Sequence, residues 1–349
     1  MLTPSARFRL SWLTLFWVAA LPAHLVHAQS ALNSGDALVE KREAKAWLYR
    51  IQEAANKRSY QGTVIVSSGG AVASSRITHY CEGRDQFERI DALDGQTRHV
   101  VRHNEQVHTV YPQRRIAMVE QRDQLSSFPG LLQAGGERVP EFYDLRAVGQ
   151  ERVAGREANV LSLRPKDGHR YGYRLWSDAA TGLLLRTEVL GERGGVLESS
   201  AFSDVAIGVH PSVDSLMQPI RKLDGYKVLQ PTASPTTLEA EGWHLETKVP
   251  GFRLVSCVKR PVDGPLRAQA PAAGHHETQL VQAVYTDGLT YVSVFIEPYN
   301  AERHPRPMNT AIGATQTLMH RQADWWVTLM GDVPAPTLRL FSEALERRK

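Results

Sequence analysis

The sequence predicts an α+β fold in two strand-rich blocks: a large antiparallel sheet that curls around helices, then a smaller antiparallel sheet with a terminal helix. Three observations predict it. One amphipathic helical stretch precedes a long succession of period-two runs, the turns between those runs are short, and a proline-punctuated interval divides them into two groups.

The elements follow in order. Arg7 and Arg9 precede the apolar run Leu10 to Leu21, Pro22 closes it, and Val26-His27-Ala28 offers compact groups for cleavage. Residues 1–28 therefore read as a secretory signal peptide, too short for a comfortable membrane span. No cysteine follows the run, so a lipid anchor is not expected, and the mature chain starts near Gln29. The formal charge of +4 falls to about +2 once Arg7 and Arg9 are removed, which is no nucleic-acid balance. Cys81 and Cys257 are the two cysteines, too few for a disulfide framework; each sits in a strand-like run, and both are expected to be unpaired.

Between Asp36 and Ser59, Trp47, Leu48, Ile51 and Ala55 fall on one helical stripe. The period then changes to two. Hairpins are expected around Gly69-Gly70 and Asp94-Gly95, and a join at Pro112-Gln113. Leu125, Phe128, Pro129, Leu131 and Leu132 suit a short helix or lid over the sheet, after which strand-like runs continue to about Val205. These boundaries give an N-terminal domain over 29–210, a linker over 211–238 containing Pro211, Pro219, Pro231 and Pro235, and a C-terminal domain over 239–349. In the second block hairpins are expected at Asp287-Gly288 and near Ala323-Asp324, and a closing helix from about Thr337 to Arg347.

The search for chemistry yields no catalytic residues and no cofactor. There is no GxSxG elbow, HExxH pair or phosphate-cradling glycine loop, and neither cysteine is assigned a histidine partner. His99, His103 and His108 share a hairpin region but lack a carboxylate at ligand spacing, so no metal is assigned. Binding remains. In RYGYRLWSDAATGLLLRTEVL, Tyr171, Tyr173 and Leu175 share one parity and Leu183, Leu185 and Val189 share one across the turn, with Arg170, Arg174, Arg186 and Glu188 opposite. Tyr171, Tyr173, Leu175, Leu183 and Leu185 therefore form the candidate lipid pocket. The same face could equally pack as an ordinary core against the 36–59 helix.

Several segments together resemble the periplasmic sigma-E regulatory proteins of the RseB/MucB type: YQGTVIV, RITHY, ERIDALDGQTRHVVR, RLWSDAATGLLLRTEVL, the VPGF at Val249 to Phe252, YTDGLTYVSVFIE and VTLMGDVPAPT. They occur in order over nearly the whole mature chain. The resemblance implies a lipoprotein-carrier-like half-barrel with helices across it, followed by a smaller partner-binding sheet domain. It also implies a soluble periplasmic regulator that binds the periplasmic part of a transmembrane anti-sigma factor and shields it from proteolysis. Lipopolysaccharide or mislocalised lipoprotein acyl chains would release it, and in the MucB branch the alginate regulon is restrained. Tyr291, Phe295, Trp325 and Trp326 are the candidate partner-binding residues, because the second block carries apolar groups on both faces of its strands. A lipid or lipoprotein carrier built on the same half-barrel is the competing reading, and self-association stays open.

Overall fold

In the computed structural model the described residues are 42–121, 128–130, 132, 136–231, 233–246, 249–262, 278–304 and 306–348. The signal segment and Leu125 and Leu131 of the expected lid lie outside them. Among the described residues no helix is long and apolar enough to cross a membrane.

Helix α1 covers 42–57, and its Leu48, Ile51 and Ala55 stripe is buried as its spacing predicts. The chain then builds a twelve-stranded sheet. Its first six strands are β1 (Tyr60–Ser68), β2 (Ala71–Glu82), β3 (Asp85–Ala92), β4 (His99–His103), β5 (Gln106–Tyr111) and β6 (Ile116–Gln121). After α2 (Val139–Phe142) come β7 (Tyr143–Val153), β8 (Arg156–Pro165), β9 (Gly172–Asp178), β10 (Leu184–Leu190) and β11 (Val196–Ile207). Helix α3 (Val213–Arg221) and β12 (Lys227–Leu229) complete it. The spatial order is β12-β6-β5-β4-β3-β2-β1-β11-β10-β9-β8-β7, antiparallel throughout except for the β12–β6 pair. Each neighbour is mostly the next strand in sequence, because short turns permit only antiparallel pairing.

The second sheet runs β13 (Ser234–Pro235), β15 (Arg253–Pro261), β16 (Gln279–Thr286), β17 (Tyr291–Pro298), β20 (Trp325–Gly331), β19 (Thr315–Gln322), β18 (Met308–Ile312). Helix α4 (Ala335–Glu343) buries Leu338 and Phe341 against Val292, Val294, Ile296, Val327 and Leu329. β14 (Trp243–Leu245) pairs with β21 (Leu345–Arg347) beside it.

Three expectations are corrected. The terminal helix stops at Glu343, and the next residues become a strand because Leu345 and Trp243 both have core positions to fill. Asp94-Gly95 is not a two-residue turn: the last β3–β4 pair is Asp91 with His99, which leaves a longer connection, and the Asp94 carboxylate instead accepts from the backbone N–H and hydroxyl of Ser74. The proline-bearing stretch after 210 holds a helix over β3–β5 and a strand on the sheet edge, so its prolines punctuate structure rather than remove it.

Candidate functional site

The two sheets meet through a buried polar junction. Arg170, which alternation placed among the polar-face residues, is wholly buried with Asp287 of the β16–β17 turn. Its Nε donates to Asp287 Oδ2 at 2.6 Å, and its other nitrogens donate to Asp167 and to the Pro250 carbonyl. The guanidinium lies 4.6 Å from the Phe142 ring centre and 5.1 Å from that of Phe252. Gly251 makes this fit possible: at φ +89° it offers its bare Cα to Phe142, and a Cβ there would stand 2.4 Å from the ring. The VPGF segment is thus the seat of the junction. Two further bonds cross it, from Gln316 Nε2 to the Tyr171 hydroxyl at 3.2 Å and from the Thr337 hydroxyl to the His169 carbonyl at 3.0 Å.

Beside this junction lies a cavity of about 460 Å³. Val64, Val66, Ile77 and Ile90 of the first sheet form an apolar floor, with Phe128 and Tyr173 at its sides. The second sheet contributes Leu289, Tyr291, Thr315 and Asp332. Its volume lies in the range of small-molecule pockets, and its lining mixes that apolar floor with polar groups that include Arg98, Thr187, Ser200 and Glu198. Burial raises the affinity of Asp332 for its proton, against the opposing hydrogen bond from the Thr315 hydroxyl at 2.6 Å. Burial likewise raises Glu198, opposed by the Ser68 hydroxyl at 2.9 Å, and the field of Asp332 adds to the rise. The cavity therefore pairs a greasy floor with two acids that resist ionisation.

The candidate pocket residues divide. Tyr173 lines the cavity; Tyr171, Leu175, Leu183 and Leu185 are not in its wall. Tyr171, Tyr173 and Leu175 pack with α1 and with Leu289 and Ala314 of the second block. Leu183 and Leu185 join a separate cluster with Trp176, Tyr60 and Phe202. The reason is a register shift between Leu184 and Arg186: Leu184 pairs with Ser177, while Thr187 and Val189 pair with Leu175 and Tyr173. The parity of 183 and 185 therefore does not continue to 189. Sequence reasoning missed the cavity floor on β1–β3, although Val64, Val66 and Ile77 do alternate there.

The four candidate partner residues also divide. Tyr291 lines the cavity. Phe295 is half-buried on the outer sheet face beneath the Arg260 guanidinium, 5.9 Å from the ring centre. Trp326 is buried, stacked on His304 at 4.7 Å. Trp325 points the other way, edge-on to Trp243 at 5.7 Å with Arg347 over both rings. Of the three hairpin histidines, His99 meets Asp91 at 2.6 Å, His103 meets Asp85 at 3.2 Å, and His108 is a half-buried ring on β5 whose basicity burial lowers.

Comparison with known proteins places this geometry. A profile described as the MucB/RseB N-terminal domain matches residues 43–224, and one described as the MucB/RseB C-terminal domain matches 237–346. The chain is 31% identical over 307 residues to the sigma factor AlgU regulatory protein MucB of Pseudomonas aeruginosa, covering 84% of this chain and 88% of that one. It is 25% identical over 303 residues to the sigma-E factor regulatory protein RseB of Escherichia coli K12, covering 86% and 90%. The structure is similar to that of the Pseudomonas aeruginosa MucA/MucB complex, with a TM-score of 0.67 at 29% identity over 88% of this chain and 99% of that one. It is also similar to a crystal structure of MucB in complex with MucA(peri), with a TM-score of 0.66 at 29% identity over the same shares.

Proposed function

Since the chain belongs to the MucB/RseB family, we propose that it is a negative regulator of a sigma-E-type factor: it binds the periplasmic part of a membrane-spanning anti-sigma factor and shields it from regulated proteolysis. Support comes from the relatives named as sigma factor regulators and from the MucB structures described as complexes with MucA. In this reading residues 1–28 direct the chain to the periplasm, and 29–210 and 239–349 are its two domains.

Release by a lipid signal, lipopolysaccharide or a mislocalised lipoprotein, is the second half of the proposal. One observation carries it: the cavity takes its floor from the first sheet and part of its wall from the second. A ligand filling it touches both sheets at once, so it binds two arrangements of them with different affinity and shifts the balance between them. Phe295 on the outer face of the second sheet is the residue offered to the partner, and Tyr173 and Tyr291 are those offered to the lipid.

The test is titration of the labelled periplasmic fragment of the cognate anti-sigma factor against the full mature chain, with and without lipopolysaccharide. Tight binding that lipid weakens is the expected result. Absence of binding refutes regulation by capture. Binding that lipid leaves unchanged refutes the release step, and lipid binding without any anti-sigma binding favours the carrier reading.

A further inference from the structure

We propose that Cys81 is a nucleophilic thiol and a site of mixed-disulfide formation with small disulfide compounds, with His79 as the cation beside its sulfur and Glu88 as the residue that positions the ring. The site is independent of the junction cavity. It is built from strand geometry: period two puts His79 and Cys81 side by side on one face of β2, and the β2–β3 register sets Glu88 opposite His79. The β1–β2 register sets Tyr60 opposite His79 on the other side.

The distances are those of a thiol–imidazole–carboxylate relay. Cys81 Sγ lies 3.3 Å from His79 Nε2, and His79 Nδ1 lies 3.4 Å from Glu88 Oε2. Tyr60 stacks on the imidazole at 5.1 Å with an interplanar angle of 7°, which fixes the ring plane. His79, Glu88 and Tyr60 are all buried, whereas Cys81 is partly exposed beside the last turn of α1. A reagent can therefore reach the sulfur and not the groups behind it. The Tyr60 hydroxyl is fully buried and has no hydrogen-bond partner among the described residues, an unused donor beside the relay.

Burial alone would lower the basicity of His79; the hydrogen bonds to Cys81 and Glu88 and the Glu88 charge outweigh it and raise the pKa to about 9. Such a ring already carries its proton at neutral pH, so it does not take the thiol's; it is a cation 3.3 Å from the sulfur, where it favours the thiolate. The step is balanced without any further reactant. The Cys81 thiol releases its proton to water, the thiolate beside the His79 imidazolium attacks one sulfur of the incoming disulfide, and the S–S bond breaks. The leaving thiolate takes a proton from water. A disulfide compound and one thiol become a mixed disulfide and a free thiol. The adduct occupies the space where Cys81 Sγ meets the Asn56 carbonyl at 3.2 Å, so it presses on the end of α1.

Cys257 supplies the internal contrast. It sits on β15, and burial first, then the nearby Glu239 and Glu241, push its thiol up to about 11. It is the inert member of the pair.

The experiment uses the full mature chain and two probes, the aromatic disulfide dithiobis-nitrobenzoate and glutathione disulfide. Each cysteine is followed alone, in Cys257→Ser and Cys81→Ser variants. Cys81 is expected to react with both probes at least roughly ten-fold faster than Cys257, and His79→Asn to remove most of that advantage. The wild-type chain gives a second reading that needs no variant at His79: after limiting glutathione disulfide, peptide mapping should find the adduct on Cys81 and not on Cys257. Cys81 reacting no faster than Cys257, or an adduct shared equally between them, overturns the proposal. So does an unchanged rate in a folded His79→Asn chain.

Discussion

Replacing Arg170 with methionine keeps most of the apolar stem of the side chain and deletes the charge that neutralises Asp287. Both members of the pair are fully buried, so no solvent takes over the role of the lost guanidinium. Breaking a buried pair from one side costs about 3–5 kcal/mol, against less than about 1 kcal/mol for an exposed pair. The lower end applies here, because Asp287 keeps the backbone donors of Leu289 and Thr290, each at 2.9 Å. About 3 kcal/mol is therefore expected, a fall in melting temperature on the order of 6 °C for a chain of this size. The assay is urea unfolding of Arg170→Met, Asp287→Asn and the double variant. Since the partners touch, the double variant should be less damaged than the sum of the singles by about 2 kcal/mol. Strict additivity, within about 0.5 kcal/mol, would refute the claim that this pair clamps the two sheets.

Three further outcomes are expected. Gly251→Ala should cost about 1–3 kcal/mol, from a left-handed φ and a Cβ driven into Phe142; unfolding that matches wild type would show the VPGF seat to be loose. Leu185→Asp, at a fully buried position outside the cavity wall, should unfold the first sheet rather than selectively abolish lipid binding, read by circular dichroism beside a lipid-binding assay. Glu198 and Asp332 both hold their protons more tightly in the folded chain than ordinary carboxylates do, so the folded state gains stability from them as pH falls through their raised pKa values. Thermal unfolding followed from pH 7 down to the ordinary carboxylate range, about pH 4, should show this gain in wild type relative to the Glu198→Gln, Asp332→Asn chain, which lacks it.

The hairpins were legible in the sequence because their turns are written locally. Gly69-Gly70 joins β1 to β2, Asp287 caps the β16–β17 turn with its own carboxylate, and Ala323 takes φ +53° between β19 and β20. The junction was not legible. Arg170 obeys the alternation of a polar face, and the Asp287 that draws it inward lies 117 residues away. The bulge at Leu185 was equally hidden, since nothing in LLLRTEVL distinguishes an inserted residue from an alternating one. His79 and Cys81 stand two apart in a strand, and that spacing was the available signal; the Glu88 that completes the relay required the β2–β3 register.

The parallel pairing of β12 with β6 has a consequence for how the chain can be divided. A sheet that ends in bare N–H and C=O groups invites another copy to add a strand, and the short β12 covers one of its two flanks, where Lys227 to Leu229 lie along Ile116 to Met118. At the opposite flank β7 shows a run of exposed residues including Gln150, Glu151 and Arg152, which discourages addition there by charge. The segment that leads to the second sheet is thus also the selvedge of the first. A fragment cut at residue 210 leaves β6 bare and should oligomerise through it, whereas one carried through Leu229 keeps its finished border and stays monomeric in solution.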